Sequence, residues 1–90
     1  MDINCMENRI LNANGVLQPT ILRAILNLYN GGFRLMTARI IREECKKLEK
    51  NVPWGDRIPA IRNAMKNAAN CGGRIIGKDK PFLNFTVSFE

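Results

Sequence analysis

Three interruptions, Asn30-Gly31-Gly32, Asn51-Val52-Pro53-Trp54-Gly55 and Cys71-Gly72-Gly73, divide most of this chain into pieces that hold one helix each. Glycine tolerates the positive φ found just past a helix end, and a break that contains proline does not continue a helix. Between the breaks the apolar residues keep a helical period. Ile21, Leu22, Ile25, Leu26, Leu28 and Tyr29 give a first main helix a wide apolar surface, and this helix is expected to follow Pro19 and run to Tyr29. Proline suits an early helical position because its missing N–H would have had no intrahelical partner. Thr37 is placed to cap a second helix whose stripe is Ala38, Ile41, Cys45 and Leu48, with Glu43 and Lys47 paired at i,i+4 on the solvated side. Asp56 is the expected N-cap of a third helix that runs to Asn70 and buries Ile58, Ile61, Met65 and Ala68.

After the last glycine pair the period changes from helical to alternating. Leu83, Phe85, Val87 and Phe89 point one way and Asn84, Thr86, Ser88 and Glu90 the other, which predicts a strand with one buried face. Arg74-Ile75-Ile76 is its expected antiparallel partner across the loop Gly77-Lys78-Asp79-Lys80-Pro81, and Phe33-Arg34-Leu35 is a candidate short strand. Ahead of these elements Ile3, Met6 and Ile10 recur at helical spacing until Asn12-Ala13-Asn14-Gly15 ends the pattern. Residues 1–16 are therefore read as a short helix or an arm, and residues 17–90 as one domain. The expected core is Ile25, Leu28, Ile41, Leu48, Ile61, Met65, Phe85 and Val87, with Trp54 wedging the turn before the third helix in preference to stacking on a base.

Composition excludes several classes of function. No run approaches the roughly 18 apolar residues that cross a bilayer, and Met1-Asp2-Ile3-Asn4 lacks the start of a signal peptide, so no membrane association and an intracellular, cytoplasmic location are expected. Three widely spaced cysteines, Cys5, Cys45 and Cys71, with no histidine, point to structural thiols in a reducing compartment rather than to a metal site or a disulfide framework. No histidine is present to act as general base, no Gly-rich loop has phosphate-cradling spacing, and the adjacent Glu43 and Glu44 diverge by about 100° on a helix. No enzymatic activity, cofactor or small-molecule substrate is expected. A formal charge of +6 points instead to an anionic partner, and between residues 56 and 81 six basic residues face only Asp56 and Asp79.

The order helix, short strand, helix, turn, helix, hairpin resembles the winged-helix subgroup of helix-turn-helix domains over residues 17–90, with Gly31-Gly32-Phe33 leading into the short strand and a Gly-rich step leading into the hairpin. The resemblance implies a mainly α fold with a small antiparallel sheet. It makes the third helix a recognition helix and the hairpin loop a wing. On that helix Asn63, Lys66, Asn67 and Asn70 gather opposite the apolar stripe, with Arg62 at the boundary. Asparagine can pair bidentately with adenine, and arginine or lysine can reach guanine or phosphate, so this face suits a major groove. Arg57 and Arg74 flank it, and Lys78 and Lys80 straddle the wing. The expected partner is double-stranded DNA, contacted in transcription regulation or an accessory role, with homodimer contacts through the N-terminal arm or the first main helix. The alternative is a winged-helix protein-interaction module that uses the apolar surface of that helix, or Ile3, Met6 and Ile10, without binding DNA.

Overall fold

The computed structural model describes residues 1–77 and 85–90. In chain order these form α1 (Ile3–Asn12), α2 (Leu17–Asn30), β1 (Leu35–Thr37), α3 (Ala38–Leu48), a 3-10 turn (Trp54–Asp56), α4 (Ile58–Ala69), β2 (Arg74–Ile76) and β3 (Thr86–Ser88). The chain is thus mainly helical with a small antiparallel sheet. Its three strands lie in the order β1-β3-β2, with Met36 and Ile75 on either side of Val87. No helix among the described residues is long and apolar enough to cross a membrane.

The main helices follow from the local chemistry read above. Thr37 Oγ1 accepts from Ile40 N at 3.2 Å and starts α3. Helix α2 begins before Pro19, at Leu17, because the Val16 carbonyl accepts both Thr20 N and Thr20 Oγ1 and so closes an earlier turn. Strand β1 lies two residues later than Phe33-Arg34-Leu35, because Phe33 N is used in closing α2 through Leu28 O at 3.0 Å. Asp56 does not cap α4. It falls within the 3-10 turn, Arg57 stands at the N-cap with no side-chain bond, and Pro59 occupies the first turn.

Of the expected core, Ile25, Leu28, Ile41, Ile61, Met65, Phe85 and Val87 are buried, whereas Leu48 is 41 % exposed. Leu48 is the last residue of α3, just where the chain departs from helical geometry at Glu49. That end is closed instead by Trp54, buried and donating from Nε1 to Glu49 O at 2.8 Å, which removes it from any role in base stacking. Ser88 also departs from the alternating pattern. It is buried, with Leu35 and Arg74 as its register partners on the two flanking strands.

The thiol reading is corrected by a disulfide between Cys5 and Cys71, whose Cα atoms are 5.6 Å apart. Helix α1, started by Asp2 Oδ1 accepting Cys5 N, buries Met6 in the common core and lays Cys5 against the end of α4. A backbone bond from Asp2 N to Cys71 O at 2.7 Å fixes the same junction. The argument from thiols to a reducing compartment falls with this pairing. Cys45 alone is a free thiol, buried, and its pKa is pushed up to about 12 by burial and then by the Glu44 charge, so it stays neutral at physiological pH.

Gly73 explains how α4 can hand over to β2 so close to β3. A Cβ at this position would lie 2.6 Å from the Phe89 ring and 2.8 Å from the Ser88 carbonyl oxygen, so only glycine fits without moving the central strand.

Candidate nucleic-acid interface

At about 100° per residue the inward side of α4 is Ile61, Ala64, Met65 and Ala68, all fully buried. The opposite crest carries Asn63, Lys66 and Asn70, all exposed. These three are the sequence-predicted residues that the fold brings together on one open ridge. Arg57, at the N-cap of α4, and Arg74, the first residue of β2, are both exposed. Lys78 and Lys80 lie outside the described residues.

Two predicted residues stand on the flanks of the ridge. Arg62 is half-buried with its guanidinium carbon 5.1 Å from the centre of the Phe85 ring, and Lys66 Nζ lies 6.0 Å from the same centre. An aromatic face attracts cations, so Phe85 draws the Arg62 guanidinium to its flank, with the exposed Lys66 ammonium at the edge of its reach. Asn67 is half-buried on the other flank, where its Oδ1 accepts a hydrogen bond from Nη1 of Arg9 on α1. Asn67 is therefore not a fully open base-reading side chain, because one of its two hydrogen-bonding ends is already used within the protein.

The charge pattern separates α3 from α4. On α3, Lys46 pairs with Glu43 at 2.7 Å and Lys47 with Glu44 at 3.8 Å, each at i,i+3 rather than between Glu43 and Lys47. The Glu43 carboxyl is held below its ordinary pKa by the hydrogen bond and charge of Lys46, with smaller help from Arg42 and Arg39. By contrast, residues 57–77 contain Arg57, Arg62, Lys66 and Arg74 and no carboxylate.

Sequence reasoning missed α1 as part of this surface. Asn4, Asn8 and Asn12 recur every fourth residue, a spacing that places them on one face of a helix. With Asp2, Arg9 and Asn67 they line an open polar groove of about 590 Å³ between α1 and α4. The four-residue repeat was the available signal. No family model, curated protein or solved structure matches the chain.

Proposed function

We propose that this chain is a winged-helix module that docks on double-stranded DNA, with α4 in the major groove and the β2–β3 connection along the phosphate backbone, in a regulatory or accessory role without catalysis. The observation that carries this reading is the open crest of Asn63, Lys66 and Asn70 on a stretch that holds four cations and no carboxylate. A major groove offers acceptors to lysine and paired donor and acceptor groups to asparagine, and phosphates offer charge to arginine and lysine. The sheet supports the same architecture. The strand before α3 and the strand after α4 both pair with β3, and the connection from β2 to β3 carries Lys78 and Lys80.

Of the apolar residues that a protein-interaction module would use, Met6, Ile21, Leu22 and Ile25 are fully buried and Ile10 is half-buried, whereas Ile3 is exposed.

Two single substitutions on the crest test the docking geometry. Lys66→Ala is expected to weaken binding on every duplex sequence and to reduce the slope of log affinity against log salt by about 0.9, because a neutralised phosphate is lost. Asn63→Ala is expected to leave that slope intact and to remove about 1–3 kcal/mol of discrimination at one base pair. Competition titrations over several duplex sequences and salt concentrations read both effects. Wild-type affinity, slope and sequence preference in both variants would show that the crest of α4 is not the contact face.

A further inference from the structure

Cys5 and Arg9 are one helical turn apart on α1, and Cys71 lies four residues beyond Asn67 at the end of α4. The two helices meet through these residues in consecutive rungs. One rung is the Cys5–Cys71 disulfide, the next is the bond from Arg9 Nη1 to Asn67 Oδ1, and Arg9 Nε donates to Cys71 Sγ at 3.3 Å between them. A guanidinium has only donors, so the carboxamide end that faces it must be the oxygen. The NH2 end of Asn67 is thereby turned away from Arg9, and it makes no hydrogen bond to any described residue. Asn67 also borders the polar groove, beside the exposed crest formed by Asn63 and Asn70.

We propose that Arg9 is a positioning residue that turns the Asn67 oxygen toward α1 and leaves the NH2 as the end presented outward. This rests on the reading of α4 as the duplex-binding helix, and it changes what that helix recognises. A bidentate pair with adenine needs both the NH2 and the oxygen of the amide. With the oxygen turned toward Arg9 on α1, Asn67 leads with its NH2, and its partner on the duplex is a hydrogen-bond acceptor. Phosphate oxygens and the N7 or O6 of guanine share that chemistry, and the dependence of binding on sequence separates them. A phosphate contact is indifferent to the base, whereas a guanine contact is lost at one position.

The test compares wild type with Arg9→Met, Arg9→Lys and Asn67→Ala. Arg9→Met keeps an aliphatic stem but has no donor, whereas Arg9→Lys keeps a donor without an acceptor. In the free protein, the nitrogen–proton NMR signals of the Asn67 side-chain amide should report an ordered group in wild type and Arg9→Lys. In Arg9→Met they should shift and take on the averaging of a side chain that samples several rotamers. On randomised duplexes, Asn67→Ala is expected to bind roughly tenfold more weakly, as for loss of a hydrogen bond to a charged or strongly polar acceptor. Arg9→Met is expected to gain a preference for adenine at one position that wild type and Arg9→Lys lack. An Asn67 amide signal that Arg9→Met leaves unchanged would overturn the positioning role even if duplex binding is intact. A wild-type bidentate preference for adenine lost only in Asn67→Ala would overturn the outward NH2 orientation. Absence of duplex binding by wild type would instead remove the docking reading and this contact with it, while the NMR comparison still reports whether Arg9 orders the amide.

Discussion

Replacing Ile61 by alanine is expected to destabilise the fold by roughly 2–5 kcal/mol, because deleting a buried branched side chain loses its transfer free energy and leaves a cavity that neighbours fill only in part. Ile61 is fully buried on the inner face of α4, as are Ala64 and Met65. In a chain of 90 residues such a loss is a large share of the total stability. Leu48→Ala supplies the contrast. Leu48 is 41 % exposed at the end of α3, so its removal is expected to stay within about half a kcal/mol. Denaturant melts of the two variants check both values. Similar losses in the two would mean that the burial of α4 against the core is misassigned.

Reduction of the Cys5–Cys71 bond is expected to have an effect of the same order. The bond joins residues 66 apart, and in the chain-entropy account closing a loop of that size removes about 4 kcal/mol of unfolded-state freedom. Most of this should appear as a lower unfolding midpoint in the presence of a dithiol reductant, and equally in a Cys5→Ala, Cys71→Ala double variant without it. Cys45 does not confuse the comparison, since it is buried and neutral in the folded state. Superimposable melts with and without reductant would show that α1 is not held to α4 by this bond.

The parts of the fold that depend on local pattern were legible from the residues. The helical periods between the glycine breaks mark α2, α3 and α4, and the change to alternation marks β3. Elements whose position is set by distant residues were not. Cys5 and Cys71 look like unrelated thiols until Met6 carries α1 onto the core and brings the two Cα atoms together. Ser88 reads as an outward residue because alternation alone does not reveal which residues flank it on the neighbouring strands. Asp56 reads as a cap because its side chain has the right chemistry, yet the 3-10 turn begun by the buried Trp54 uses up that position.

The candidate interface divides in the same way. Exposure of Asn63, Lys66 and Asn70 follows directly from the phase of the apolar stripe on α4. The engagement of Asn67 does not, because its partner Arg9 is 58 residues away in sequence and on another helix. Nothing in the spacing of α4 alone distinguishes Asn67 from its neighbours on the crest. The regular Asn4, Asn8 and Asn12 repeat was the one hint that α1 presents a polar face of its own.

The most direct test of the proposed function is the affinity of the intact, oxidised chain for random duplex DNA, measured by fluorescence anisotropy over a series of salt concentrations. Arg57, Arg62, Lys66 and Arg74, together with Lys78 and Lys80, make up the cations assigned to the duplex. Each phosphate neutralised contributes about −0.9 to the slope of log affinity against log salt, so engagement of four to six of these residues predicts a slope between about −3.6 and −5.4. Undetectable binding at low salt, or binding with a slope near zero, would contradict the assignment of α4 and its flanking cations to a nucleic-acid backbone.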